Sequence, residues 1–118
     1  MPDYSFPTSR RLCSSEEFDT VFQDREYVVR HACFLFLAKI NEQGFNRLGL
    51  VIAKKNVHLA VDRNRIKRKV REAFRQMPVI GDGVDIVVLA RPGVRTEKQV
   101  SRTIDNLFQD LVRKVSES

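Results

Sequence analysis

Tryptophan is absent, and cysteine, methionine and tyrosine occur only twice each among the 118 residues. Cys13 and Cys33 lack C-x-x-C spacing, so neither a disulfide framework nor a zinc knuckle is indicated, and reduced thiols are expected. His31 and Cys33 form an H-x-C pair, but His58 is the only other histidine, so the usual metal-ligand spacings have no second half and no metal site is expected in the protein. Long apolar runs are also missing: the longest, Ala32 to Ala38, has seven residues, where ~20 are needed to span a bilayer. The start, Met1-Pro2-Asp3-Tyr4-Ser5, has no basic stretch leading into an apolar one and does not read as a secretory signal, so a cytoplasmic address is expected. With five Gly, four Pro, no repeats and no linkers, collagen-like and low-complexity classes are excluded, and 1–118 reads as a single domain.

What the chain has in excess is positive charge, concentrated in one place. Twenty-one Lys and Arg against fifteen Asp and Glu give +6. From Lys54 to Arg75 there are nine basic and two acidic residues, a net +7, so the other 96 residues sum to −1. A dense positive field on an otherwise balanced domain is the footprint of a protein that contacts a polyanion. Nucleic acid is the leading partner, because a membrane-surface helix would carry aromatic or Leu side chains for insertion and the apolar stripe here is committed to a core.

Periodicity supplies the elements. Ser14-Ser15-Glu16-Glu17 has the form of a capping box, with Phe18, Val21 and Phe22 behind it at helical spacing, which predicts a helix over about 15–24. Tyr27 to Arg30, Ala32 to Ile40 and Leu48 to Ala53 read as strands, with Asn41-Glu42-Gln43-Gly44 predicted as a hairpin turn between the second and third. In the second strand Phe34 and Phe36 share one face and Cys33, Leu35 and Leu37 the other. Both faces are apolar, so one must be covered and the other is covered or used.

Leu59, Ile66, Val70, Ala73, Phe74 and Met77 recur at helical spacing and Pro78 stops the pattern, predicting a helix over about 59–76. Asn64, Arg68, Arg71 and Arg75 fall on its opposite face. Asp85 to Ala90 reads as a buried fourth strand. Thr96 and Gln99 suggest a second capping box ahead of a helix whose stripe runs from Val100 through Ile104, Leu107, Phe108, Leu111 and Val112 to Val115. The order α-β-β-β-α-β-α describes an α+β sandwich with a four-stranded sheet and room for one parallel pair.

No catalytic constellation accompanies this scaffold. Glu16 and Glu17 sit in the first turn of a helix, Asp82 and Asp85 flank a glycine, and no His, Lys or third carboxylate joins them at metal or acid-base spacing. The informative run is Arg63-Asn64-Arg65-Ile66-Lys67-Arg68-Lys69-Val70-Arg71-Glu72. Arginine forks pair with phosphate, lysines add point charges, and Asn64 offers a donor and an acceptor to a base or a ribose 2′-hydroxyl. A helix-turn-helix is disfavoured because the basic helix follows a strand.

Lys54-Lys55, Ala60-Val61, Arg63 to Arg68 and Arg71-Glu72-Ala73-Phe74-Arg75 together resemble the signature of the bacterial ribonuclease P protein component. Phe18 and Phe22 after Arg11-Leu12, the Phe-rich strand, and Val88-Leu89-Ala90-Arg91 extend the resemblance over about Arg10 to Leu111. It implies a two-layer α-β sandwich whose β-α-β crossover is left-handed, against the right-handed form the general rule favours. It implies an endonuclease subunit in tRNA processing, with catalysis carried by a partner RNA, no catalytic residues in this chain, no cofactor held by the protein alone and Mg²⁺ required by the holoenzyme. The expected partners are the catalytic RNA and precursor tRNA, with no membrane and no obligate protein partner.

Residue by residue, the resemblance places Arg63, Asn64, Arg65, Lys67, Arg68 and Arg71 against the RNA, and Phe18, Phe22, Phe36, Lys54, Lys55 and Arg91 in a cleft for the single-stranded 5′ leader. Alternation does not say whether Phe34 or Phe36 reaches that cleft. Asn56-Val57-His58 departs from many relatives, where a Gly or another basic residue stands, so His58 need not touch RNA. The alternative is another small RNA-binding protein of the ribosome or its assembly.

Overall fold

Capping decides where the chain first becomes regular in the computed structural model, which describes residues 11, 12 and 14–117. Helix α1 (Ser15–Asp24) starts behind Ser14, whose side chain accepts from the Glu17 N–H at 3.2 Å while the Glu17 carboxylate accepts from the Ser14 N–H at 3.1 Å, the reciprocal box read from the sequence. Strands β1 (Tyr27–Arg30) and β2 (Phe34–Ile40) follow. They are joined by a tight turn in which the Cys33 N–H donates to His31 Nδ1 and the His31 N–H to the Phe34 carbonyl, both at 3.0 Å, so β2 begins two residues later than its apolar run suggests. Next come β3 (Arg47–Val51), α2 (Ala60–Gln76), β4 (Val84–Ala90) and α3 (Val100–Ser116). Among the described residues, no helix is long and apolar enough to cross a membrane. Cys13 lies outside the described residues.

The sheet order is β1-β2-β4-β3, which overturns the predicted hairpin between the second and third strands. β4 lies between them, antiparallel to β2 and parallel to β3 across the α2 crossover. The reason is burial: six of the seven β4 residues are buried, all of them apolar except Asp85, and a strand buried on both faces belongs in the middle of a sheet. The turn after β2 therefore joins the start of β4, with the Gly44 N–H on the Asp82 carbonyl at 2.7 Å and the Asn41 N–H on the Gly83 carbonyl at 3.0 Å. Gly83 has φ 101° and a Cβ there would stand 2.5 Å from the Phe45 carbonyl oxygen, so the position requires glycine.

A second correction concerns α3. Its N-cap is Gln99, with no side-chain cap, three residues beyond the N-cap position predicted at Thr96. Residues Pro92–Thr96 instead wind into a 3-10 turn, pinned to the β1–β2 connection by Arg91 N–H to the Cys33 carbonyl at 2.8 Å and Gly93 N–H to the Ala32 carbonyl at 3.1 Å. Glu97 takes over locally: its carboxylate accepts from the Gln99 N–H at 2.9 Å and is held below the usual carboxylate range, chiefly by that bond.

Helices α2 and α3 cover one face of the sheet, and the main core lies under them, with Phe34, Phe36, Val70, Phe74, Ile86, Ile104 and Leu111 at its centre. Among the described residues, α1 is the only helix on the other face, over a smaller cluster of Leu12, Val21, Leu37 and Val87. Short α1 does not reach across all of it, and Leu35, Leu89 and Val51 stay partly exposed there.

Candidate nucleic-acid interface

The apolar stripe of α2 buries Ile66, Val70 and Phe74 and so turns the opposite side outward. Asn64, Arg65, Arg68 and Arg75 are exposed, while Lys67, Lys69 and Arg71 are half-buried along the flanks, their stems lying on the protein and their charged ends free to reach out. Among the described residues the only ion pair on this helix is Arg65 with Asp62, a loose and solvent-exposed contact at 3.7 Å. Among the described residues, the field is therefore not neutralised by carboxylates. Arg71 has its pKa lowered, chiefly by burial and secondarily by the charge of Arg11.

Arg63 behaves differently from the rest of the signature. One of its η nitrogens donates to the Val57 and His58 carbonyls at 3.0 and 2.9 Å, so its guanidinium closes the loop that leads into α2. The signal was present in the sequence, since at about 100° per residue position 63 falls between Val70 and Phe74 on the buried side. His58 is itself exposed.

On the α1 face, strand register arranges the side chains in three rows. Arg47, Asp85 and Lys39 form a charged row, Gly49, Val87, Leu37 and Val28 a middle row under α1, and Val51, Leu89 and Leu35 a third row beyond it. Leu35 and Leu89 are only half-buried and Val51 is 36% exposed, so the third row is an open apolar strip beside the half-buried Phe18 and Phe22. Parallel β3 and β4 leave the sheet at the same end of this strip, where exposed Lys54, Lys55 and Arg91 stand. Asn56 secures that junction: buried, it donates to the Ala90 carbonyl at 2.8 Å.

Phe36, expected to line the leader cleft, is not part of this strip. It is fully buried on the α2/α3 face, edge-on to Phe108 with centroids 4.8 Å apart and to Phe34 at 6.4 Å. Neither Phe34 nor Phe36 reaches the strip, because the two helices that bury the most apolar surface both sit on their side of β2. Leu35, Leu89 and Val51 occupy the place expected of an aromatic ring. Sequence reasoning passed over them because an alternating strand does not announce which face is left open.

It also passed over Gly49, although a lone glycine inside an apolar strand is a recognised mark of close approach. A Cβ at Gly49 would lie 2.6 Å from Phe18 Cε1, so the missing side chain is what lets that ring settle on the sheet.

The carboxylates near the site are occupied. Arg47 makes a forked pair with Asp85 (Nε to Oδ1 and Nη2 to Oδ2, each 2.7 Å), and its Nη1 donates to Glu17 Oε2 at 2.8 Å. Among the described residues no cluster of three or more His, Cys, Asp or Glu is placed to hold a metal ion. His31 Nδ1 is engaged by the Cys33 N–H, and the buried Cys33 thiol is pushed up in pKa by burial and by the neighbouring Glu97 carboxylate. Such a thiol is a poor nucleophile. The arrangement offers cations and an apolar strip rather than acid-base chemistry.

A ribonuclease P family profile matches residues 6–114. The ribonuclease P protein component of Marinobacter nauticus is 43% identical over 115 residues, covering 98% of this chain and 85% of that protein. That of Legionella pneumophila is 42% identical over 110 residues, with 92% and 94% covered. In three dimensions the chain is similar to the RNase P protein of Thermotoga maritima, with TM-score 0.72, 31% identity and coverage of 88% of this chain and 96% of that one. The RNase P protein of Staphylococcus aureus matches with TM-score 0.72 at 27% identity, covering 92% and 95%.

Proposed function

The chain belongs to the family of ribonuclease P protein components, and on that basis we propose that it binds the catalytic RNA of ribonuclease P through α2 and the single-stranded 5′ leader of precursor tRNA along the open strip beside α1. In this reading the RNA hydrolyses the phosphodiester that joins leader to tRNA, and the Mg²⁺ it needs is held by RNA. The protein contributes affinity and position. Arg65, Arg68 and Arg71 pair with phosphates, Lys67 adds charge, and Asn64 meets a base edge or a 2′-hydroxyl. Arg63 holds the entry to the helix instead. Lys54, Lys55 and Arg91 neutralise leader phosphates while Phe18, Phe22, Leu35, Leu89 and Val51 offer its bases an apolar bed. Such a bed suits leaders of varied sequence, because every base has a π face and every nucleotide a phosphate.

The observation that carries the proposal is the single helix face whose cations find no strong acid partner among the described residues. A cleavage assay tests it. The purified chain alone should leave precursor tRNA intact, whereas together with a bacterial ribonuclease P RNA at low Mg²⁺ it should yield the mature 5′ end faster than that RNA alone. If the protein changes neither rate nor substrate affinity, the proposal is wrong.

A further inference from the structure

A ten-residue helix has little stability of its own, so the place of α1 over the sheet is set by what it touches. Val21 is a fully buried peg near its middle, and Phe18 rests where Gly49 lacks a side chain. The third contact is charged. Glu17 spends one carboxylate oxygen on the Ser14 N–H and the other on Arg47 Nη1 at 2.8 Å, so a single side chain both starts the helix and ties it to β3.

Arg47 is in turn held before it reaches α1. Its fork onto Asp85 links β3 to β4, and the buried Asp85 also accepts from Asn41 Nδ2 at 2.7 Å. The guanidinium, 20% exposed, is a rigid post in the charged row at one end of the face, and the open strip lies at the other end. A helix pegged at Val21 and tied at one end has its remaining freedom in tilt, and tilt moves the Phe18 and Phe22 rings against Leu35 and Leu89.

We propose that Arg47 and Glu17 are positioning residues that set the tilt of α1, and with it the width of the leader cleft, without touching RNA themselves. The inference rests on the cleft assignment above. Apolar contacts alone would bury α1 as well, and desolvating an ion pair is costly, so the gain from the strut is a fixed orientation more than added stability.

The test compares Glu17→Gln with the wild-type protein in holoenzyme reconstituted with a bacterial ribonuclease P RNA. Gln at this position keeps the capping box and removes only the charged tie. Three affinities are measured: for the catalytic RNA, for precursor tRNA with a long leader, and for precursor tRNA cut back to a single leader nucleotide. Glu17→Gln should weaken long-leader binding about three- to tenfold, or up to ~1.4 kcal/mol, and leave the other two within error.

Gly49→Ala, which displaces the Phe18 ring from the other side, should give the same leader-specific loss. Equal losses on both substrates, or none on either, overturn the inference while leaving the cleft assignment standing. If the wild-type protein itself gives no leader-dependent gain, the cleft assignment and the inference fall together.

Discussion

Replacing Arg68, Arg71 and Arg75 by alanine in one variant removes three cations from the outward side of α2, none of which has an ion-pair partner among the described residues. Each phosphate neutralised contributes a slope of about −0.9 in log K against log salt on duplex nucleic acid and about −0.7 on a single strand. If all three arginines meet phosphates, the slope for binding the catalytic RNA flattens by roughly 2 to 3. Between about 50 and 200 mM salt, the wild-type protein should then lose roughly 20- to 40-fold more affinity than the variant.

Stability of the free protein should barely change, since the lost groups are not paired and like charges three and four residues apart repel. Arg63→Ala is the internal control, because its guanidinium is spent on the Val57 and His58 carbonyls. It should leave the salt slope alone and cost about 1.5–3 kcal/mol of folding stability. The assay is a salt titration of RNA affinity beside thermal unfolding. The reasoning fails if the triple variant keeps the wild-type slope, or if Arg63→Ala flattens it as much as any single outward arginine does.

Two further outcomes are expected. Phe36→Ala should cost about 3–5 kcal/mol by opening a cavity between Phe34 and Phe108. The milder Phe36→Leu should fold and bind leader like the wild type, and selective loss of leader affinity in that variant would place the ring in the cleft after all. Cys33 has its folded pKa raised above the unfolded value, so its contribution to stability is complete below the ordinary thiol pKa and is lost as pH rises from there through the raised folded value. Chemical denaturation on the alkaline side should show a steeper fall for wild type than for Cys33→Ala, and identical slopes would refute the assignment.

Local rules carried much of this molecule. The capping box at Ser14, the three apolar stripes and the stop at Pro78 each depend on neighbours within a turn or two, so the helices were legible to within a few residues. The charge imbalance between Lys54 and Arg75 was equally plain, and the outward placement of Asn64, Arg68 and Arg75 follows from helical geometry alone. Alternation in β2 likewise established that Phe34 and Phe36 point the same way.

Which way that was, only the tertiary structure decided. Strand order depends on contacts between residues far apart in the chain, and β4, buried along nearly its whole length, lies between β2 and β3, a pairing that local pattern does not specify. With α2 and α3 both on one side, the Phe34 and Phe36 rings went into the core and the open strip fell to Leu35, Leu89 and Val51. The segment predicted to open α3 winds instead into a 3-10 turn whose approach is pinned by Arg91 and Gly93 N–H groups donating to the β1–β2 connection, contacts some sixty residues apart in the chain. The Glu17–Arg47–Asp85 strut joins residues 30 and 38 positions apart, a separation at which no periodicity speaks, since it is folding that brings those charges into contact.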